Sequence, residues 1–371
     1  MNYTFFSKPY IKGVFILSII TTLNFSCSTS KPQFAGTSFE KHKTLDGTNF
    51  TQQRLDSLTN FLKDDLETTG MVILKDGKIL YEYGDIEEVS FTASCRKSIL
   101  SILYGKYVEN GTINLNQTIG EIGIEEDKGL LDIEKSATVD HILNSSSGVF
   151  LEPVNGGYDK RNILERGSVT PGEYFVYNNW DFNVAGAILE IKSGKSIYQD
   201  LEEQLAIPLG FQDWNIKNQK KKYKKSKSRY PAYHIYISTR DMAKIGQLML
   251  NKGKWNGKQI ISQQWIEKIT TPVIPTQTIN ERYGGNESSP YQFSYGYLWW
   301  LIDNFKHHPD FEGAYTARGW GGQYITIFPK TNVVVAHKCN VSTLVKWGLL
   351  SGGVSEYAYW NLLYDFIKTQ G

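Results

Sequence analysis

Apolar residues recur along this chain with periods of about 3.6 and of 2 residues, and the two periods divide it into predicted helices and strands. A helical stripe runs from Arg54 to Glu67, and a second helix opens after Ser94. Between them, Asp76-Gly77 separates two short apolar runs, Met71 to Leu74 and Lys78 to Tyr83, which is a strong hairpin signal. The first part of the chain is therefore predicted as helix, hairpin and helix.

From about residue 110 to 230 the pattern favours helices joined by long loops. Residues 139–143 end in a serine-rich turn at 145–148, and residues 183–192 form a clear helical stripe. The second half returns to mixed structure. Helices are predicted after the capping sequence 238–241, at 263–269 and at about 357–368, and strands at 295–302, 323–328 and 333–337.

Strands at both ends of the chain and helices between them predict an α/β fold with an inserted, mostly helical subdomain. We assign the α/β part to about residues 45–109 and 231–371 and the insertion to about 110–230, within one domain over 45–371. A cleft is expected where the two parts meet, because ligand sites favour such junctions.

Composition supports a large globular unit, since the 371 residues are 40% hydrophobic and 13% aromatic. The formal net charge of +2 conceals one basic segment, Lys217 to Arg229, which holds eight basic residues and no acid. The rest of the chain is mildly acidic, so we expect no nucleic-acid partner. The basic segment is either a solvated loop or a surface for anionic headgroups, and its position suggests the rim of the cleft.

The N-terminus has the features of an export signal. Lys8 and Lys12 precede an apolar run from Val14 to Leu23, and Cys27 follows a small residue. We predict a signal over 1–27 that resembles a bacterial lipoprotein signal with Cys27 lipidated, a polar tether over 28–44, and a membrane-anchored protein that faces the periplasm or the cell surface. The alternatives are an uncleaved anchor and an ordinary signal peptide.

The first candidate for chemistry is Ser94-Cys95-Arg96-Lys97, at the start of an apolar helix. Residues i and i+3 share a helix face, so Lys97 can reach the Ser94 hydroxyl. A neutral lysine is able to activate a serine nucleophile, and burial favours the neutral form. The alternative is a capping serine beside a solvated lysine. Cys95 and Cys339 are the two cysteines that follow the predicted signal, and two cysteines give no disulfide framework. We interpret Cys95 as a buried filler.

Two further segments are candidates for completing such a site. Tyr177 is able to relay protons if nearby cations lower its proton affinity, and Asn179 is able to position Lys97 and a substrate amide. The alternative is a core tyrosine with turn-forming asparagines. Gly319-Trp320-Gly321-Gly322-Gln323 opens a strand whose edge suits a substrate, or it is only a hairpin turn.

These segments, in this order, resemble the serine β-lactamase and penicillin-binding-protein superfamily, and most closely its class C-like esterase and 6-aminohexanoate-dimer hydrolase branch. The resemblance extends over about residues 60–370. It is carried by the Ser94 and Lys97 pair, by Tyr177 with Asn179, and by the sequences at 141–148, 237–244 and 318–323. It implies an antiparallel sheet flanked by helices, with no metal or organic cofactor.

The resemblance also implies roles for the candidate residues. Ser94 would be the acylating nucleophile, Lys97 and Tyr177 its general-base network, and Asn179 the second-motif amide. The backbone N–H groups of Ser94 and Gln323 would form the oxyanion hole. The remaining candidate substrate-binding residues are Trp320, Gly321, Gly322 and Arg318.

The chain departs from β-lactamases at Trp320, where those enzymes have a lysine or histidine that helps to hold the substrate's carboxylate. A Trp-Gly-Gly segment is similar to esterases of the superfamily. Arg318 either receives a carboxylate or forms a surface pair, and His234 either lines the cleft or is a packed histidine. We therefore expect an exported serine hydrolase for a small ester or amide, with a D-alanyl peptidase or weak β-lactamase, or a silent binding module, as alternatives.

Overall fold

The structure is a computed structural model that describes residues 36–64, 67–286, 288–339 and 354–368. The predicted export signal, including Cys27, and the tether up to residue 35 lie outside the described residues. Within the described part of the chain, no helix is both long enough and apolar enough to cross a membrane.

The described helices and strands, numbered in chain order, are α1 (Gln52–Asp64), β1 (Thr68–Lys75), β2 (Lys78–Gly84), β3 (Ser90–Phe91), α2 (Cys95–Glu109), α3 (Ile119–Ile122), α4 (Asp132–Lys135), α5 (Val139–Leu143), α6 (Asn179–Ser193), α7 (Ile197–Leu201), β4 (Lys220–Lys224), β5 (Ser228–His234), β6 (Tyr236–Ile237), α8 (Thr239–Leu250), β7 (Lys254–Trp255), β8 (Lys258–Gln259), α9 (Gln263–Ile269), α10 (Thr276–Tyr283), β9 (Tyr291–Tyr295), β10 (Trp300–Phe305), β11 (Tyr315–Gly319), β12 (Gln323–Phe328), β13 (Val333–Cys339) and α11 (Glu356–Ile367). A single π-helical turn, Glu202–Ala206, continues α7, and short 3₁₀ turns lie at Ile216–Asn218 and Pro309–Phe311.

Seven strands form one antiparallel sheet in the order β2-β1-β13-β12-β11-β10-β9. The first strand, β1, thus pairs with the last one, β13, and this pairing joins the two parts of the α/β subdomain that precede and follow the helical insertion. The β1–β2 hairpin turns at Asp76 and Gly77, whose φ angles of 51° and 76° are those of a tight primed turn. The predicted α/β fold with its antiparallel sheet flanked by helices is confirmed.

The two faces of the sheet carry separate cores. One core packs α2, α6 and α8 against residues such as Ala317, Ile325 and Val334. The other packs α1 and α11 against residues such as Tyr324 and Val335 on the opposite face. Alternate residues of β12 and β13 therefore serve opposite cores, as the two-residue period of a strand requires.

Several predicted boundaries differ from the structure. The strand predicted at 295–302 is two strands, β9 and β10, because residues 296–299 turn the chain between them. The basic segment, predicted as a loop, contains β4 and pairs with β5. Lysine has low intrinsic strand preference, so cross-strand pairing rather than local propensity accounts for β4.

The part of the predicted tether within the described residues is bound to the domain. The N–H of Thr37 donates to the Gly210 carbonyl at 3.0 Å, and that of His42 donates to the Ile79 carbonyl at 3.0 Å. Lys41 forms a parallel bridge with Ile79 beside β2. These backbone contacts show that residues 37–42 are not a free linker.

Candidate active site

Ser94 lies between β3 and α2, at the point where the chain enters the helix. Ala93 before it has φ of 49°, in the left-handed region that side chains with a Cβ seldom adopt. Ser94 occupies the N-cap position of α2, but its side chain makes no capping hydrogen bond. The alternative in which Ser94 is simply a capping serine is therefore not what the structure shows.

Lys97, one turn into α2, makes the contacts that a nucleophile and base would need. Its Nζ donates to Ser94 Oγ at 3.0 Å and to Tyr177 Oη at 2.7 Å. Lys97 Nζ also lies over the rings of Tyr177 and Phe182, at 4.0 and 4.2 Å from their centroids. No acid in the described chain lies within ion-pair distance of Lys97, so no carboxylate stabilises its charge.

Burial keeps Lys97 in a state suited to base chemistry. Only 1% of the residue is exposed. Burial, helped by the positive charge of Arg96, lowers the pKa of Lys97 well below its ordinary value. A neutral amine has a lone pair that can accept the proton of Ser94, which a charged ammonium lacks.

Tyr177 completes this contact network from the loop before α6. Its ring packs against Phe182, Trp300 and Tyr295, at centroid distances of 4.7, 5.6 and 6.2 Å. Burial raises the pKa of Tyr177, and this outweighs the opposing effects of its hydrogen bond with Ser94 and of the cations Arg96 and Arg318. The sequence-based condition that cations lower the proton affinity of Tyr177 is therefore not met on balance, and of the two groups only Lys97 has its pKa shifted toward the neutral, basic form.

Asn178 and Asn179 have different tasks at the start of α6. Asn178 is the N-cap, whose side chain accepts from the Trp180 N–H at 3.1 Å. Asn179 is buried, and its Nδ2 donates to the Gly156 carbonyl. Asn179 Oδ1 has no hydrogen-bond partner among the described residues, which leaves it free for a substrate N–H or a water.

Arg96, the residue before Lys97 on α2, is a second buried cation with contacts of its own. It is 2% exposed, with one donor bound to Asn183 Oδ1 at 3.1 Å and its guanidinium 4.1 Å from the centroid of the Tyr233 ring. Its Nη1 has no partner, and no acid among the described residues pairs with it. A buried cation thus stands beside Lys97 on the same turn of the helix.

The third segment is a hairpin turn next to Ser94. Gly319 ends β11, Trp320, Gly321 and Gly322 form the turn, and Gln323 opens β12. A Cβ placed on Gly319 would lie 2.6 Å from the Thr92 carbonyl oxygen and 3.2 Å from the Ala93 Cβ. The turn therefore touches the segment that leads into Ser94, while the Trp320 side chain is 54% exposed.

The second predicted oxyanion donor, the backbone N–H of Gln323, does not fit this geometry. Ile302 N–H donates to Ala314 O at 2.8 Å, which fixes the alternation along β11. The N–H and C=O groups of the even-numbered residues of β11 therefore point toward β10. Those of Gly319 point toward its partner Gln323 on β12, so the Gln323 N–H faces Gly319 and not the substrate side. The Gln323 side chain is also buried and donates to Cys339 O at 2.9 Å.

Of the two alternatives for Arg318, receiving a substrate carboxylate or forming a surface pair, the structure supports the surface pair. Its guanidinium forms an ion pair with Glu356 at the start of α11. It also lies over the rings of Trp300 and Phe293, at 4.4 and 4.8 Å from their centroids. Arg318 is thus close to the Tyr177 wall, but its charge is already matched by an acid.

The two cysteines of the described chain are buried thiols. Cys95 Sγ donates to Gln323 O at 3.2 Å beneath the β11–β12 ladder, and burial raises its pKa to about 12. Burial likewise raises the pKa of Cys339 to about 12. Thiols held in the protonated form are not nucleophiles, in line with the interpretation of Cys95 as a filler.

One buried acid near the site was not singled out from the sequence. Asp181, in the first turn of α6, accepts from Ser147 Oγ at 2.6 Å and from Ser145 Oγ at 3.4 Å. The serine-rich turn after α5 is thereby tied to the helix that carries Asn179. A single aspartate in an amphipathic stretch gives no sequence signal for such a role.

Comparison with known proteins agrees with this fold. The sequence model of the Beta-lactamase family matches residues 58–345. An uncharacterized protein of Alkalihalophilus pseudofirmus is 25% identical over 282 residues, which cover 68% of this chain and 74% of that protein. The chain belongs to the beta-lactamase family, and the resemblance deduced from its motifs is confirmed.

Solved structures with the same fold include hydrolases. The structure of a protein from Bacillus anthracis, named as a putative 6-aminohexanoate-dimer hydrolase, has a TM-score of 0.63 at 21% identity and covers 91% of this chain and 89% of its own. EstCE1, a hydrolase with promiscuous acyltransferase activity, has a TM-score of 0.59 at 14% identity and covers 85% and 98%. With the family membership, these neighbours support a serine hydrolase in general terms.

Proposed function

We propose that the protein hydrolyses an ester or a small amide through an acyl-enzyme on Ser94. The observation that carries the proposal is the position of Lys97 Nζ, 3.0 Å from Ser94 Oγ and 2.7 Å from Tyr177 Oη, in a buried setting without a carboxylate partner. Ser94 itself is only partly buried, so a substrate carbonyl can approach it.

The reaction would begin when the neutral amine of Lys97 takes the Ser94 proton as Oγ attacks the carbonyl carbon. The tetrahedral intermediate collapses when the proton passes from Lys97 through Tyr177 to the leaving alcohol or amine. A water then attacks the acyl-enzyme, gives its proton back to the same network, and releases the acid and Ser94 Oγ–H. No step requires a histidine or a carboxylate.

The developing oxyanion would be held by the backbone N–H of Ser94 at the start of α2, where the helix dipole favours negative charge. The second donor would come from the open edge of β11 and its turn, at Arg318 or Trp320, because the alternation of the ladder points Gln323 N–H at Gly319. Asn179 Oδ1 would accept a hydrogen bond from an amide substrate.

Two features favour esters and small amides over β-lactams. Trp320 is exposed in a turn and offers no cation, and Arg318 is already paired with Glu356. A substrate carboxylate would therefore find no free cation in the third segment. The EstCE1 fold, that of a hydrolase, is compatible with this preference.

The test is Ser94→Ala, with Ser136→Ala, an exposed serine at the C-terminal end of α4, as the matched control. We expect the first variant to lose p-nitrophenyl ester turnover by about 10⁴-fold or more and to lose labelling by a fluorophosphonate probe. The control should keep both activities. Equal turnover by wild type and Ser94→Ala would refute the acyl-enzyme, and a wild type that takes up no probe would favour a silent binding module.

We also propose that the protein is exported and anchored through a lipid on Cys27, with the hydrolase domain facing the periplasm or the cell surface. The support is the sequence of residues 1–27, in which basic residues precede an apolar run and a cysteine. The substitution Cys27→Ser should move the protein from the membrane to the soluble exported fraction, which cell fractionation measures. A wild-type protein that is found in the soluble exported fraction would contradict lipidation at Cys27.

A further inference from the structure

The cations around Ser94 are arranged differently from what its motifs suggest. The third segment contributes none that is free, since Trp320 is uncharged and Arg318 is paired with Glu356. Arg96 and Lys97 are 2% and 1% exposed, so neither can meet a charged group in solution. Further positive charge, on exposed lysines, lies on the β4–β5 hairpin, which the proposed mechanism does not use.

The β4–β5 hairpin has two chemically different faces. Opposite residues in an antiparallel pair share a face, so Lys221 and its partner Tyr233 point one way and Lys220, Lys222 and His234 point the other. The first face lies against α6, where Lys221 pairs with Glu190. The second face, which we call the outer face, exposes Lys220 and Lys222, and neither has an acid partner among the described residues.

The outer face lies next to the nucleophile. Phe91 pairs with Tyr236, and Thr92 N–H donates to Ile235 O at 3.1 Å. Continuing this register by one residue places His234 opposite Ala93, the residue before Ser94. The His234 ring also contacts the Phe91 ring edge-on, with 4.9 Å between centroids.

The groups of the outer face combine charge with hydrogen bonding. Burial, together with the charges of Arg96 and Lys222, lowers the pKa of His234 to about 4, so its imidazole is neutral at pH 7. Its Nδ1 has no hydrogen-bond partner among the described residues. The ammonium of Lys220 lies 5.8 Å from the centroid of the Tyr236 ring, which holds it close to the strand.

We propose that the outer face of the β4–β5 hairpin, through Lys220, Lys222 and His234, binds an anionic group of the substrate, so that the preferred substrates are esters or amides that carry a carboxylate or a phosphate. This inference rests on the proposed function, whose nucleophile it adjoins. The two lysines supply the charge and the neutral imidazole supplies a hydrogen bond. The hairpin thus takes the place of the cation that the third segment lacks.

The experiment compares esters of similar size with and without a carboxylate, using the full chain. On the acyl side the pair is mono-p-nitrophenyl glutarate and p-nitrophenyl pentanoate, and on the leaving-group side it is 4-acetoxybenzoate and phenyl acetate. The readout is the ratio of kcat/KM for the anionic ester to that for the neutral one. It is measured for wild type, for Lys220→Gln/Lys222→Gln and for Lys254→Gln/Lys258→Gln.

The last variant is a matched control, because β7 and β8 form another two-stranded hairpin with two exposed lysines. It lies at the other end of α2, where Gln259 and Glu109 line one cavity. Fifteen residues of helix separate that end from Ser94, or about 22 Å at the α-helical rise of about 1.5 Å per residue. It therefore removes the same charge without approaching the nucleophile.

We expect the wild-type ratio to exceed one for at least one pair, and to fall about fivefold in Lys220→Gln/Lys222→Gln but not in the control. Added salt at about 0.5 M should remove most of the wild-type preference, because exposed charges are screened. The side of the ester that shows the preference identifies which part of the substrate the hairpin serves.

A wild type that hydrolyses neutral esters through Ser94 with no preference for either anionic ester would overturn this inference and leave the proposed function in place. The same holds if both double variants lower the ratio equally. If wild type turns over none of the four esters and Ser94 takes up no fluorophosphonate, the proposed function fails and the inference fails with it.

Discussion

Asp181 gives a prediction whose size follows from the structure. The residue is 1% exposed, and its hydrogen bonds are with the hydroxyls of Ser147 and Ser145. No lysine or arginine in the described chain pairs with it. Burial raises the pKa of Asp181 from its ordinary 3.8 to about 8, against the smaller opposing effect of those hydroxyls.

The sign of the pH dependence follows from proton counts in the two states. Between about pH 4 and pH 8 the native protein keeps the Asp181 proton, whereas the unfolded chain has released it. The native state therefore holds one more proton, and stability falls as the pH rises, by about 1.4 kcal/mol per unit. The whole window corresponds to about 6 kcal/mol, and the interval from pH 5 to pH 7 to about 3 kcal/mol.

Asparagine resembles the protonated acid, with one acceptor and a donor, but cannot ionise. We therefore expect Asp181→Asn to match wild type at pH 5 and to exceed its stability at pH 7 by about 3 kcal/mol. The assay is urea unfolding followed by circular dichroism at several pH values. Asp132→Asn, at an exposed position of α4, is the control and should show no such trend. A difference between Asp181→Asn and wild type that is the same at pH 5 and pH 7 would refute the reasoning.

Two further predictions concern the segments beside Ser94. Arg96→Met removes a cation that lowers the pKa of Lys97, so less Lys97 is neutral at a given pH. The acid limb of the kcat/KM profile should therefore move to higher pH. An acid limb that stays in place would contradict this prediction. Gly319→Ala puts a Cβ 2.6 Å from the Thr92 carbonyl, so the free energy of unfolding should fall by about 1–3 kcal/mol and ester turnover should fall with it. Unchanged turnover and melting temperature would argue against a tight contact between the turn and the Ser94 segment.

Much of the fold could be predicted from the sequence, because its signals are local. The stripes of α1, α8 and α9 and the turn at Asp76-Gly77 depend only on neighbouring residues. The split of 295–302 into β9 and β10 was missed because the run is apolar except for Gly296 and contains no proline to mark the turn. The β4 strand was missed because its pairing with β5, not its composition, stabilises it.

Contacts in the site that depend on spacing along one helix were predictable from the sequence, and contacts that depend on the tertiary fold were not. Ser94 and Lys97 are three residues apart on one helix, so their contact follows from helical geometry. The contact of Lys97 with Tyr177 joins residues 80 positions apart, and only the family resemblance indicated it. The direction of the Gln323 N–H depends on the register of β11 with β10 and β12, which no local pattern encodes.

The positive φ of Ala93 explains why the Ser94 hydroxyl does not cap α2. A serine at an N-cap ordinarily has extended backbone angles and turns its hydroxyl onto the helix N–H groups. Here Ser94 has φ of −78° and ψ of −9°, which is already helical, and its hydroxyl caps nothing. The chain must therefore turn sharply one residue earlier, at Ala93, and Thr92 fixes that turn with two hydrogen bonds to Ile235 O, one from its N–H and one from its hydroxyl. A left-handed alanine costs about 1 kcal/mol or more, and such strain persists where surrounding contacts hold it. The conformational strain is thus located at Ala93, the residue before Ser94. Its result is that the Ser94 hydroxyl is directed at Lys97.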